Sequence, residues 1–400
     1  MSFPRSVRLG VGVLACLAAL GYVALPYVDA VALIARAASL PGTLGAIAAW
    51  RAVPVRVDAV HQVPTRHGSV DAQFYRPAVD SGRTVLLVPG VHMDGIRESR
   101  LVGLAEDLAA SGLTVMTVAT PDLQRFRITA ATTDIIEDAA RWLAGQTDGA
   151  AIGMLGISFS GGLSIVAAGR PPLRDRVAFV MSFGGHGDLP RVMRYLCSGH
   201  APAMPDLADA ARWARGADSV RVQPPHDYGV AVVLMNLADR IVPADQVEPL
   251  REGIRIFLLA SSLTLVDMTR ATTEFERARA FAAALPEPSR TLLTHVNDRA
   301  VDALGPVLLP VVERLGDDPA LPALSPERAA PPAAPVYLLH GADDNVIPSV
   351  ETVLLARHLH GRAEVHALLS GLITHAEVDR PPTAAEVWHL VRFWRSLMAR

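Results

Sequence analysis

From Arg51 onward the chain alternates short apolar, β-branched runs with alanine-rich segments of helical spacing. The runs TVLLVPG (84–90), LTVMTVAT (113–120), AAIGMLG (150–156), RVAFVMSFGG (176–185) and PVYLLHG (335–341) are apolar throughout rather than alternating. Continuous runs of this kind suit strands buried on both faces of a parallel sheet. Between them, RESRLVGLAEDLAASG (97–112) and TTDIIEDAARWLAG (132–145) carry the three-to-four spacing of amphipathic helices, the first ending at Gly112. Before the first buried run, VRVDAVHQVPT (55–65) and SVDAQFYRPA (69–78) read as a hairpin turning at His67-Gly68. Strands that alternate with helices predict an α/β fold with a mostly parallel sheet flanked by helices.

The alternation stops near Gly185 and resumes near Ala334. The intervening residues 186–334 carry helical patterns such as MPDLADAARWARG (204–216) and TEFERARAFAAAL (273–285), and end in the proline-rich return PALPALSPERAAPPAAP (319–335). Three parts follow: an N-terminal segment over 1–50, a sheet-and-helix core over 51–185 and 335–400, and a helical insertion over 186–334.

The first part has its own pattern. Leu9 to Val28 contains no charged residue, with Arg5 and Arg8 before it and Asp29 after it. Twenty residues at the helical rise span roughly 30 Å, the thickness of a bilayer's hydrocarbon core. The run reads as a membrane anchor whose flanking arginines keep its start in the cytoplasm and place the catalytic domain on the non-cytoplasmic side. A signal peptide cleaved near Val28-Asp29-Ala30, releasing a secreted protein, has the same pattern, as does a buried soluble helix. Residues 30–50 are apolar but broken by Arg36, Pro41 and Gly42, and lie either along a membrane surface or under the globular domain.

Composition removes several chemistries. The formal charge is −3, and all 37 basic residues are arginine, without a single lysine. A phosphate-binding loop of the GxxxxGK[ST] type, a Schiff-base lysine and a Ser-Lys dyad are therefore excluded. No basic stretch interleaves with aromatics, so no nucleic-acid partner is expected. Two separated cysteines, Cys16 and Cys197, make neither a disulfide framework nor a cysteine-rich metal site. No metal or organic cofactor is expected.

The candidate chemistry lies in MLGISFSGG (154–162). An apolar strand that ends in Gly-x-Ser-x-small-Gly and enters a helix presents its serine hydroxyl clear of the sheet, with small residues required two before and two after. Ser158 meets this with Gly156 and Ser160, whereas Ser160 as nucleophile would begin the turn two residues late. A serine needs a base held by a third group. Chain order supplies an aspartate in PVYLLHGADDNVIP (335–348) and His375 in LLSGLITHAEV (368–378), ahead of a final helix over 383–399.

With these elements residues 53–400 resemble the α/β-hydrolases, whose triad runs Ser, Asp, His along the chain. HGADDNVIP is similar to that family's G-x-x-D-x-x-[VI]-P loop, which maps the acid onto Asp344 and leaves Asp343 as a turn residue. The resemblance implies an α/β-hydrolase fold with a helical lid, and a catalytic triad of Ser158, Asp344 and His375. The Phe159 amide would form one half of an oxyanion hole. By position in the family, Val91 would supply the other. His92 either lines the site or holds its loop. His186 and Asp188, leaving the strand next to the site, are either substrate contacts or turn and cap residues.

The expected activity is hydrolysis of hydrophobic or lipid-like carboxylic esters through an acyl-serine. A thioesterase, peptidase or acyltransferase would use the same triad. A non-catalytic membrane-anchored binding protein would keep the fold without the chemistry. The expected partners are a small-molecule or lipid-like acyl substrate and, through the N-terminal helix, a membrane.

Overall fold

The computed structural model describes residues 21, 23–220, 223–264, 266–373 and 383–400. Most of the apolar run Leu9–Val28, and the candidate base His375, lie outside the described residues. The first helix, α1 (Val23–Ala37), meets α2 (Gly42–Arg51) at a bend of 112°. Ser39, at φ 50°, and Pro41 stand in the break, where helical geometry stops. Among the described residues no single helix is long and apolar enough to cross a membrane.

Of the two places open to residues 30–50, α1 takes the one under the domain. Its Ala30, Ala32, Leu33 and Ala35 are buried, and Ala30 and Leu33 join the core that holds Tyr75, Leu101, Leu108 and Trp394. Arg36 fastens its lower end, donating to the Ala48 carbonyl at 3.1 Å and to the Ser111 hydroxyl. Arg51 of α2 reaches back to Asp29 at 2.6 Å.

Among the described residues the sheet has nine strands: β1 (Val55–Val57), β2 (His61–Thr65), β3 (Gly68–Pro77), β4 (Thr84–Val88), β5 (Thr114–Val118), β6 (Ile152–Ile157), β7 (Val177–Phe183), β8 (Val336–Gly341) and β9 (Val365–Ser370). Their order is β1-β3-β5-β4-β6-β7-β8-β9, with β2 beside β3. Pairing is parallel from β5 to β9 and antiparallel where β3 meets β1, β2 and β5. The single hairpin arm expected over 55–65 is two short strands. Both pair with β3, and Asp58 just after β1 donates its amide to the Phe74 carbonyl at 3.0 Å while its carboxylate binds Arg56 and Arg76.

Three helices cover one face: α1, α3 (Ser99–Ala110) and the last helix, which spans Ala384–Met398. The Glu98 carboxylate caps α3 by accepting the Leu101 amide at 2.8 Å. On the other side of the chain order come α4 (Pro121–Gln124), α5 (Ala130–Ala144) and α6 (Phe159–Ala168), of which α5 and α6 pack on the opposite face. Thr129 caps α5, so this helix begins two residues before the run marked by spacing alone.

The insertion between β7 and β8 is helical, as its spacing indicates. It contains α7 (Leu189–Ser198), α8 (Leu207–Trp213), α9 (Gly229–Leu237), α10 (Ala244–Leu263), α11 (Met268–Ala284), α12 (Ser289–Asn297) and α13 (Val301–Arg314). Its buried Phe257, Leu293 and Val312 belong to the same apolar core as Leu86, Met116 and Val180 of the sheet. That continuity docks the insertion firmly, since opening it would expose core rather than polar surface. After β8 come α14 (Val350–Leu359), β9 and α15 (Ala384–Met398), the last with a Thr383–Glu386 capping box. Arg215 of the insertion bonds to β9 in parallel fashion, donating to the Ala367 carbonyl at 3.0 Å and accepting from the Leu369 amide at 2.8 Å.

Candidate active site

Ser158 sits between the end of β6 and the start of α6 with φ 56° and ψ −134°. Such a backbone costs a non-glycine residue about 1–3 kcal/mol and persists only where its surroundings hold it. Here the Ser158 amide donates to the Phe183 carbonyl at 2.7 Å, and its carbonyl accepts the Gly161 amide at 2.8 Å. The small neighbours are sterically required. A Cβ on Gly156 would lie 2.4 Å from the Ser160 carbonyl oxygen, and one on Gly185 3.1 Å from the Ser158 carbonyl oxygen. The turn is the strand-to-helix elbow that its sequence suggests.

The same geometry separates the two serines. Ser160 is fully buried; its hydroxyl accepts the Ile157 amide at 2.9 Å and faces the carbonyls of Val88 at 3.0 Å and Ile157 at 2.8 Å. A serine stands where glycine is usual because its hydroxyl ties β4 to the end of β6. Ser158 is partly exposed at the C-terminal edge of the sheet.

The loop after β4 passes directly over this turn. A Cβ on Gly90 would lie 3.4 Å from the Ser158 Cβ, so Val91 follows at the serine's side. Phe159, the first residue of α6, has an amide that no helical carbonyl can reach, at the positive end of the helix dipole. Phe159 itself is buried, with its ring 5.5 Å from that of His186. Of the readings open to His92, its Nδ1 supports the loop-holding one, accepting the Asp94 amide at 3.2 Å.

Asp344 lies on the loop that leaves β8, buried, with Oδ1 accepting the amides of Val346 at 2.8 Å and Ile347 at 3.0 Å. His340, the last but one residue of β8, supports that loop from beneath. Its fully buried ring donates from Nε2 to the Ile347 carbonyl at 2.9 Å, bonds the Thr352 hydroxyl through Nδ1 at 2.8 Å, and lies 3.5 Å from the Asp344 carboxylate. Sequence reasoning passed over His340, although a histidine inside an otherwise apolar buried run is the signal that marks it.

The chain leaving β9 passes against the same loop. The Ala342 amide donates to the Ser370 carbonyl at 3.1 Å, and a Cβ on Gly341 would lie 2.3 Å from the Ile373 carbonyl oxygen. His375 follows two residues later in sequence. From the insertion, Tyr195 donates to the carbonyls of Gln223 at 3.0 Å and Asn345 at 3.4 Å, and the His226 amide donates to the Asn345 carbonyl at 2.8 Å. Burial, reinforced by the charge of Asp344, holds the hydroxyls of Tyr195 and Tyr228 protonated well above the usual tyrosine range. The insertion is thus pinned to the acid loop, a contact no periodicity in 186–334 announces.

His186 and Asp188 take the turn-and-cap role. Asp188 accepts the Arg191 amide at 3.0 Å as the N-cap of α7 and pairs with Arg328 at 2.7 Å. His186 is fully buried behind the elbow, its Nε2 donating to the Leu324 carbonyl at 2.7 Å, in space that exists because residue 162 is glycine. Its orientation is set by packing, and it does not open toward a substrate. Beside them, the fully buried Glu351 accepts the amides of Gly187 at 2.9 Å and Asp188 at 3.2 Å and pairs with Arg191, which also binds Glu327 at 2.6 Å.

Burial lowers the pKa of His186 below its ordinary value, and its Nδ1 has no partner among the described residues. The folded chain therefore holds this ring neutral, while the unfolded chain protonates it near pH 6.5. Its contribution is complete above that pH and is lost progressively as pH falls from the unfolded pKa toward the lower folded one. Chemical denaturation between pH 7.5 and 5.5 should show stability falling, with a shallower fall in His186→Gln; equal slopes would remove His186 from the account.

Among the described residues no group of three or more His, Cys, Asp or Glu is arranged to hold a metal ion. No family model matches the chain, and no curated protein matches it in sequence. Solved structures do align with it. The esterase of the archaeon Pyrobaculum calidifontis is 16% identical, with a TM-score of 0.43 over 87% of this chain and 87% of that one. The acylaminoacyl peptidase of Pyrococcus horikoshii is 12% identical, with a TM-score of 0.42 over 87% of this chain and 41% of that one. This chain therefore spans about two-fifths of the peptidase's length. The chain itself shows a mostly parallel sheet between helical layers, a strand-to-helix serine elbow after β6 and helices inserted before β8.

Proposed function

We propose that this protein is a serine hydrolase that cleaves carboxylic esters of hydrophobic acyl groups through an acyl-serine. The observation that carries the proposal is Ser158, held at φ 56° on the elbow between β6 and α6, at the same sheet edge as Asp344. His375 takes the Ser158 proton as Oγ attacks the ester carbonyl carbon. The oxygen that gains the negative charge is met by the amides of Phe159 and Val91. Collapse breaks the bond to the alcohol, which leaves with the proton from His375. Water, deprotonated in turn by His375, then attacks the acyl-serine and releases the acid. Asp344, its Oδ1 fixed by two amides, orients His375 and stabilises the imidazolium.

Preference for hydrophobic acyl groups rests on the apolar character of the insertion and of Leu9–Val28, which we read as an anchor that leaves the catalytic domain outside the cytoplasm. A fluorophosphonate probe tests the core of the proposal. Mass spectrometry of the labelled chain is expected to find the adduct on Ser158, with labelling abolished in His375→Ala. An adduct elsewhere, or none on a folded chain, would overturn it. Comparing an ester with the amide of the same acyl group then separates esterase from peptidase.

A further inference from the structure

We infer that the rim formed by the start of α1 and the first turns of α15 is a membrane-docking surface that turns the Ser158 edge of the sheet toward a lipid bilayer. α15 ends at Met398, whose carbonyl accepts from Arg83, one residue before β4 begins. Its C-terminus therefore lies at the N-terminal edge of the parallel strands, and its first turns lie at the edge that carries Ser158 and Asp344. α1 runs the same way. Arg36 at its end bonds Ser111, just ahead of β5, while Tyr27 near its start stacks on Trp388 of α15 with centroids 5.4 Å apart and planes 6° apart. The chain preceding α1 consequently joins the folded part at the edge that carries the candidate nucleophile.

That chain is the apolar run from Leu9, which ends in α1. Where it joins, the surface is apolar: Val23 is 63% exposed, Leu25 42%, Val387 39% and Trp388 49%. Aromatic and aliphatic side chains of this kind settle at the headgroup and acyl boundary. One turn below Trp388, Arg392 is exposed, and Arg395 lies over the Tyr27 ring at 4.8 Å, placing cations at phosphate depth. Trp50, also exposed, lies outside this rim on α2, next to Arg51, whose side chain reaches back to Asp29. The occupant we assign is a phospholipid bilayer. Combined with the esterase reading, on which only this last step rests, the docking makes the substrate a bilayer-resident amphiphilic ester that enters sideways.

The test uses the full chain reconstituted into phosphatidylcholine vesicles whose acyl chains carry bromine, a contact-range quencher of tryptophan. The apolar run holds no tryptophan, so the signal reports the folded part. Quenching is expected, most of it lost in Trp388→Phe and kept in Trp50→Phe. Leu25→Glu, which leaves the Tyr27–Trp388 stack untouched, is expected to weaken it as well. Quenching that survives both Trp388→Phe and Leu25→Glu, quenching that follows Trp50, or none at all would overturn the docking, whether or not the chain hydrolyses esters. A folded chain that self-associates without quenching would assign the rim to a second copy instead. Independently, Val387→Glu should raise the apparent KM for a vesicle-embedded ester about fivefold or more while leaving a soluble short-chain ester unchanged. Failure of both esters in the wild type would count against the hydrolase, and the quenching would still decide the docking.

Discussion

Ser158→Ala is expected to lower kcat/KM for a soluble ester at least ~100-fold, with little change in folded stability. Alanine adopts φ 56° at a cost similar to serine's, and among the described residues no hydrogen bond of the fold depends on the Ser158 hydroxyl. On the proposed mechanism, the rate that remains comes from the amides of Phe159 and Val91 and from binding. Ser160→Ala should behave in the opposite way. It leaves the buried Ile157 amide and the Val88 carbonyl without their shared partner, a cost of about 1–3 kcal/mol. Each folded molecule should nevertheless retain its nucleophile and its reaction with a fluorophosphonate. Unfolding midpoints and active-site titration, measured on both variants, resolve the two effects. A Ser160→Ala enzyme that is stable but inert would reverse the assignment.

The largest effect on stability is expected at Glu351. Replacing it with alanine leaves Arg191 with Glu327 alone and strips two buried amides of their acceptor. Removing one partner of a buried ion pair costs about 3–5 kcal/mol. Arg191 retains a partner and its side chain is 22% exposed, so about 3 kcal/mol is expected by denaturant unfolding. Combining Glu351→Ala with Arg191→Met should cost less than the sum of the two single changes, because the Arg191–Glu351 pair is lost only once. Strictly additive losses would show that the pair does not couple. The loop concerned, 184–188, packs against the elbow through Gly185, so Glu351→Ala should also slow labelling of Ser158.

The strands were the most legible part of the chain. TVLLV, TVMTV and IGMLGI are apolar throughout because both faces of β4, β5 and β6 are covered, and that is the pattern a sequence can display. Ser158 was legible for a related reason: its neighbours must be small, and glycine records a steric demand in the sequence itself. What could not be read depended on contacts between distant elements. Nothing in the two serines of MLGISFSGG says that the second holds β4, since Val88 is 72 residues away. His186 looked as much like a site residue as a packed one, because the space that buries it belongs to Gly162. The helix after Val23 offered no choice between membrane and domain until the pairing of its alanines with the α3 and α15 face was known.

Arg215 illustrates how an insertion can act far from any substrate. β9 is the last strand on its side, and a parallel strand there would leave its outer amides and carbonyls without partners. By taking the Leu369 amide and giving its own to Ala367, a single residue of the insertion occupies part of that edge. An open sheet is most exposed to pairing with other chains at such a strand. The helices between β7 and β8 therefore help keep this protein from adding itself, strand by strand, to its own copies.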